Sequence, residues 1–214
     1  AYIGWRLLPD MPWPALAVVA GLFAQSSEHQ IEQRYLLDDF ADAISVTGWP
    51  DTLWLTQQDR TDEDTAIFGQ ADFDLTDQLT LTAGLRYFWV DNSLKGFWGY
   101  GENWSSGTGE AACTLREPFG PAGPNYEDAP CLNLDKGTKE DDYSIKLSAS
   151  YKLTEDKLIY ATYAEGFRPG GINRRGTLPP YLSDWLNSYE LGWKTAWNGN
   201  RLLFNGAVFY QEWQ

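Results

Sequence analysis

Apolar and polar side chains alternate with a period of two along several stretches of this chain, most regularly at residues 143–153. There Tyr143, Ile145, Leu147, Ala149, Tyr151 and Leu153 are interleaved with Ser144, Lys146, Ser148, Ser150 and Lys152. Successive side chains of a strand point to opposite faces, so the pattern predicts a strand with one apolar and one polar face. The same holds at 79–91, where Leu79, Leu81, Ala83, Leu85, Tyr87 and Trp89 oppose Thr80, Thr82, Gly84 and Arg86. Ile67, Gly69, Ala71, Phe73 and Leu75 form a partner row, and Tyr189, Leu191, Trp193, Thr195 and Trp197 another. Residues 157–167 and 201–213 have strand composition, but their alternation does not fix which side faces which way.

Short polar turns separate these strands at Thr76-Asp77-Gln78, Thr154-Glu155-Asp156 and Asn198-Gly199-Asn200, predicting hairpins over 64–91, 142–167 and 187–213. A fourth hairpin is expected over 1–25, turning at Pro9-Asp10-Met11-Pro12. At the opposite ends the connections 26–63, 92–141 and 168–186 read as long loops. Structureless loops of that length are uncommon in compact soluble domains, whereas short turns at one rim and long loops at the other are the habit of outer-membrane barrels. The pattern therefore predicts an all-β, antiparallel, up-and-down barrel wall of about eight strands. Tyr87 and Trp89 near the long-loop end and Trp197 beside a short turn suit two interfacial aromatic girdles. A soluble β-sandwich with the same apolar rows inside is the alternative.

Composition narrows the partners. The 214 residues carry 16 Lys plus Arg against 30 Asp plus Glu, a net charge of -14, which removes the long-range attraction a nucleic acid would need. Aromatics make up 15% of the chain although mean hydropathy is -0.43, a combination foreign to helical membrane bundles and to disordered chains. The longest charge-free run, Met11 to Ser27, with its apolar part ending at Ala24, is too short for a spanning helix and contains Pro12 and Pro14. The chain starts at Ala1 and stops at Gln214 directly after an aromatic strand-like run, so it reads as a piece of a longer protein. Cys113 and Cys131 lie in a Gly/Pro-rich stretch without apolar periodicity. A disulfide between them is the favoured state and two reduced thiols the alternative. With His29 the only histidine, a metal site is not expected, and no cofactor is expected either.

One string is recognisable: Lys157-Leu158-Ile159-Tyr160-Ala161-Thr162-Tyr163-Ala164-Glu165-Gly166-Phe167-Arg168-Pro169-Gly170-Gly171-Ile172-Asn173-Arg174. It resembles the barrel segment of TonB-dependent outer-membrane receptors, in which a strand of this pattern opens into an extracellular loop. The resemblance extends to Val19-Ala20-Gly21-Leu22-Phe23, Leu81-Thr82-Ala83-Gly84-Leu85-Arg86-Tyr87, Ser188-Tyr189-Glu190-Leu191-Gly192-Trp193-Lys194 and Asn205-Gly206-Ala207-Val208-Phe209-Tyr210. It implies a share of a barrel of about 22 strands, with no plug domain or TonB-contacting box visible in this sequence. It also implies an outer-membrane location in a Gram-negative bacterium and contact with outer-membrane lipid and lipopolysaccharide. TonB and a plug are the implied protein partners, and a scarce nutrient such as a ferric siderophore the implied cargo. A complete small outer-membrane barrel and a soluble β-rich carbohydrate-binding protein remain as alternatives.

Two segments are candidate ligand contacts. Around Arg168, Asn173, Arg174 and Arg175, glycines permit close backbone approach and the arginines form a cationic cluster in an acidic chain, suited to an anionic ligand. Alternatively Arg168 pairs with Glu165 or Glu190 and is structural. In the second segment, Trp98, Tyr100 and Trp104 offer rings spaced by glycine for stacking, with Glu102 and Asn103 to orient a ligand. The same rings are equally suited to packing the loop on itself. The acidic runs 59–64 and 140–142 lack calcium-loop spacing, and His29 has no neighbouring Gly-x-Ser-x-Gly elbow, so no enzyme is expected.

Overall fold

The computed structural model describes the backbone of residues 2–7 and 114 and, with side chains, residues 16–104, 108–113, 126–173 and 178–214. Eight strands follow one another in chain order in a single antiparallel sheet: β1 (Tyr2–Leu7), β2 (Leu16–Leu36), β3 (Thr52–Asp74), β4 (Leu79–Tyr100), β5 (Leu134–Thr154), β6 (Lys157–Arg168), β7 (Asp184–Trp197) and β8 (Leu202–Trp213). β1 and β8 are its two edges, so the sheet is an open barrel wall. The turn expected at Pro9–Pro12 lies outside the described residues, but β1 pairs antiparallel with β2 as that hairpin requires.

The register fixes both faces. One row runs Val18, Ala71, Ala83, Leu147, Tyr163, Tyr189, Tyr210 across seven strands, and the next Leu16, Phe73, Leu81, Ala149, Ala161, Leu191, Val208. Ile159, Ala161 and Tyr163 of β6, and Phe204, Val208 and Tyr210 of β8, thus join the apolar face, which settles the facing that alternation left open. That face stays open: Leu85 is 54% and Leu191 55% exposed, as expected of side chains whose solvent is hydrocarbon. The opposite face carries cross-strand polar pairs. Thr82 donates to Asp72 (2.6 Å), Arg86 to Asp64 (3.3 Å) and Lys146 to Gln70 (3.4 Å).

The strands reach much further than the alternation predicts. Of the stretch 26–63, read as a loop, β2 takes residues up to Leu36 and β3 those from Thr52. Of 92–141, β4 takes residues up to Tyr100 and β5 those from Leu134. Of 168–186, β6 takes Arg168 and β7 the residues from Asp184. The 23 residues of β3 span roughly 75 Å, about twice the length that a tilted strand of about 9–11 residues needs to cross the membrane. Above the apolar band water wets both faces, so the period-two signal fades while the backbone ladder continues.

Glycines allow rings to lie flat on the sheet. A Cβ at Gly192 or Gly206 would come within 2.4 Å of the Tyr160 or Trp193 ring on the neighbouring strand. The short turn at 198–200 places Asn198, Gly199 and Asn200 all at positive φ, which Asn and Gly tolerate best.

Candidate functional site

Above the apolar band, the β3–β4 hairpin carries different chemistry on its two sides. Leu55 and Phe97, on one side, are fully buried against Val46, Ala129 and Cys131, with Trp49 and Cys113 packed on the cluster. Cys113 and Cys131 are joined as a disulfide across 18 residues, Cα atoms 5.8 Å apart. Asn133 extends the ladder just before β5 begins, its N–H donating to the Gly96 carbonyl (3.1 Å). Its Oδ1 accepts the Trp98 N–H (3.0 Å), and its Nδ2 donates to the carbonyls of Trp98 (3.2 Å) and Gly109 (3.0 Å).

Glu110 fastens this cap to the loop beneath it. Its carboxylate is nearly buried, and the two oxygens accept the backbone N–H groups of Thr47 and Glu102, each at 2.7 Å. In Glu110→Gln one of those N–H groups faces an NH₂ instead of an oxygen. The expected cost is about 1.5–3 kcal/mol of local stability. It should be read as faster hydrogen exchange at Thr47 and Glu102 with the lower strands unchanged.

The other side of the hairpin, facing the same way as the polar lumen rows, presents aromatic rings. Trp54 packs edge-on against Trp98 (4.5 Å between centroids) and Tyr100 (4.6 Å), while Tyr35 stacks on Trp54 at 6.3 Å. Trp104 continues the series from Tyr100 (6.4 Å) to Phe40 (6.1 Å) and is half exposed. Below lies a cavity of about 520 Å³ lined by Arg60, Asp62, Asn92, Arg168, Gly170 and Tyr181. Asp62 chelates the Arg60 guanidinium at 2.8 Å, and that hydrogen bond raises the Arg60 pKa further above its ordinary value.

The segment after β6 folds over the lumen side of β4 and β5. Gly170 N–H donates to Glu140 (3.2 Å), Asn92 to the Gly170 carbonyl (3.4 Å), and Lys136 Nζ to the carbonyls of Asn173 (3.2 Å) and Leu178 (3.4 Å). Burial of Lys136 under this strap pushes its pKa down. Lower on the same face, Phe88 packs on Phe167 (4.1 Å), which in turn packs on Trp185 (5.1 Å).

The two candidate segments come out differently. Trp98 and Tyr100 are the last residues of β4 and not part of a loop, and with Trp104 they form one cluster. Phe97, beside them, is withdrawn into the cap. Glu102 and Asn103 are exposed at its rim, with Asn103 donating to the Ala43 carbonyl (3.0 Å). Arg168 pairs with Asp184, directly opposite on β7, and with neither Glu165 nor Glu190. Glu165 instead accepts the Tyr163 hydroxyl (2.8 Å) and the Ile145 N–H (3.0 Å), and Glu190 the Tyr160 hydroxyl (2.6 Å). Asn173 bonds the Pro179 carbonyl (2.9 Å) within the strap. Arg174 and Arg175 lie outside the described residues.

Tyr35 and Trp54 are not legible as site residues in the sequence, because both lie in 26–63, where alternation predicts no strand. The Tyr35–Trp54 pairing across β2 and β3 was the missing signal. The acidic runs serve as individual partners. Asp59 accepts the Tyr126 hydroxyl, whose pKa burial and that carboxylate push well up, while Asp62 and Asp64 pair with arginines. No group of three metal-ligating side chains occurs among the described residues.

An open antiparallel wall with short turns at one end, an apolar exterior, a polar interior and strands rising past the apolar band defines an outer-membrane-type β-barrel. The family model for TonB dependent receptor-like β-barrels matches residues 7–214, and the chain belongs to that family. It is 26% identical over 198 residues to a pesticin receptor of Yersinia enterocolitica, covering 90% of this chain and 23% of that protein. The ferric yersiniabactin uptake receptor FyuA from Yersinia pestis shares the fold with a TM-score of 0.66 at 19% identity, over 95% of this chain and 26% of that one. The siderophore receptor PiuA from Acinetobacter baumannii does so with a TM-score of 0.62 at 15% identity, over 97% and 30%. The chain thus spans about a quarter of the length of these relatives. Family membership sets aside the soluble carbohydrate-binding alternative, and these relatives are named as receptors, not enzymes.

Proposed function

We propose that the protein carrying this chain is an outer-membrane receptor that captures a small chelate, a ferric siderophore or similar cargo, at its extracellular end. It imports that cargo with energy relayed by TonB, through a lumen closed by a plug domain, in the outer membrane of a Gram-negative bacterium. Lipopolysaccharide and outer-membrane lipid surround the wall. One observation carries the reading beyond family membership: Tyr35, Trp54, Trp98 and Tyr100 gather on the lumen side of the wall, above the 520 Å³ cavity. Rings at the mouth of a water-filled passage suit a ligand with flat apolar surfaces. In this reading Trp98, Tyr100 and Trp104 touch the cargo, Glu102 and Asn103 orient it at the rim, and Arg174 and Arg175 meet its negative charge. Arg168 and Asn173 shape the strap beside it.

The test is growth of a strain lacking the intact gene on a panel of ferric chelates as sole iron source, with and without functional TonB. A chelate used only when both gene and TonB are present supports the reading, and indifference to the gene across iron, cobalamin, nickel and glycan panels refutes it. For the chelate so found, Trp54→Ala and Trp98→Ala are each expected to raise Kd about tenfold, the size of one lost stacking contact of about 1.4 kcal/mol, by titration of intrinsic fluorescence.

A further inference from the structure

The apolar exterior of the wall is not uniformly convex. On β3 to β6, Ala71 sits directly opposite Ala83, and one row nearer the short turns Ala149 sits opposite Ala161. These two offset pairs floor a groove of about 960 Å³. Its walls are larger side chains of the same outward rows, among them Phe73 and Leu191. Three tyrosines border it, Tyr163, Tyr189 and Tyr210, and the Tyr163 hydroxyl bonds Glu165 (2.8 Å) and Asn187 (3.1 Å). The groove therefore offers a channel lined mainly by apolar side chains, with tyrosine rings among them.

A cation lies in line with it. Lys157, four residues below Ala161 on the same outward side of β6, rests its Nζ 3.9 Å above the Trp197 ring at the short-turn end. It makes no ion pair among the described residues. At about 3.3 Å per residue the backbone of Lys157 lies roughly 13 Å from that of Ala161, the alanine that its own strand gives to the floor. A tryptophan with a lysine over it marks the level of lipid headgroups. In outer-membrane barrels the short turns are periplasmic, so the groove belongs to the periplasmic leaflet.

We infer that the wall holds one phospholipid of the periplasmic leaflet, its phosphate at Lys157 over Trp197 and an acyl chain in the groove floored by Ala71, Ala83, Ala149 and Ala161. The arrangement combines an apolar trough, an uncommitted cation at headgroup depth and a separation that a glycerophospholipid bridges. A second copy of the chain fits less well, because two identical concave grooves facing each other across a two-fold axis would enclose a void. Lipid A belongs to the other leaflet, at the long-loop end. The inference rests on the barrel wall and is independent of the cargo.

The test uses the intact protein purified from outer membranes in a mild non-ionic detergent, with bound lipid read by native mass spectrometry. Wild type is expected to retain one phospholipid. Ala83→Phe with Ala149→Phe, which fills the floor, should cut occupancy at least tenfold, and Lys157→Gln several-fold. Leu85→Phe, outside the groove lining on the same face, should change nothing. Heat-modifiable migration checks that each variant has assembled. Should the double variant not assemble, a photo-crosslinking residue at Leu191 replaces it, expected to capture phospholipid far more often than the same residue at Leu85. Equal occupancy in wild type and filled variant, equal capture at the two positions, lipid A as the retained species, or a dimer in place of lipid would overturn the proposal.

Discussion

Leu85→Arg is expected to all but abolish assembled protein in the outer membrane, whereas Thr82→Arg leaves it close to wild type. Leu85 is on the outward row and more than half exposed, between Gly69 of β3 and Ile145 of β5, so an arginine there would put its charge into hydrocarbon. Near the bilayer midplane that costs about 2–4 kcal/mol, on the order of a hundredfold in the folding equilibrium. Thr82 is on the lumen row beside Asp72, where a guanidinium finds a carboxylate and water. The native chain already shows the rule: Arg86, one residue from Leu85, points to the lumen, bonds Asp64 and lies 5.0 Å from the centre of the Phe23 ring. Heat-modifiable migration of the intact protein extracted from membranes checks the pair, and similar loss in both variants would mean the two faces do not differ in solvent.

Reduction of Cys113–Cys131, or its replacement by two serines, is expected to loosen the extracellular cap without disturbing the wall below. On the chain-entropy estimate, releasing a loop of this separation costs about 3 kcal/mol. The apolar cluster of the cap is small, a few side chains around Leu55 and Phe97. Because Asn133 and Glu110 tie the cap to Trp98 and to Glu102, the loss should spread to the aromatic cluster. Limited proteolysis with and without reductant should show cleavage within 101–133 rising on the order of a hundredfold, while β6 to β8 stay protected. An unchanged cleavage rate would mean that the disulfide does not hold the cap.

What the sequence made legible, and what it did not, follows from the solvent around each part of the wall. Between residues 143 and 153 lipid lies on one side and water on the other, so the side chains alternate and the strand can be read directly. Between Thr52 and Arg60 both sides are wet or covered by the cap, and Leu55, buried at 0% exposure, is followed by the buried polar Thr56. Alternation no longer marks the strand there, although the ladder to β4 is unbroken. The aromatic site straddles this illegible zone. Trp98, Tyr100 and Trp104 stood out by composition, but their partners Tyr35 and Trp54 are distant in sequence and meet them only through register. For Arg168 the sequence offers either a ligand or a nearby carboxylate such as Glu165 or Glu190, yet its partner is Asp184, which strand pairing alone places opposite it.

Which medium touches each face of β5 decides whether the sheet is a membrane wall. Single cysteines placed in turn at residues 143 to 153 of the intact, membrane-assembled protein and labelled with a nitroxide report collisions with lipid-soluble oxygen and with a water-soluble nickel chelate. Oxygen accessibility should peak at 145, 147, 149 and 151 and nickel accessibility at 144, 146, 148 and 150, in strict alternation. Equal accessibility to both reagents along the strand, or nickel maxima on the Leu147 row, would show that this row does not face the membrane.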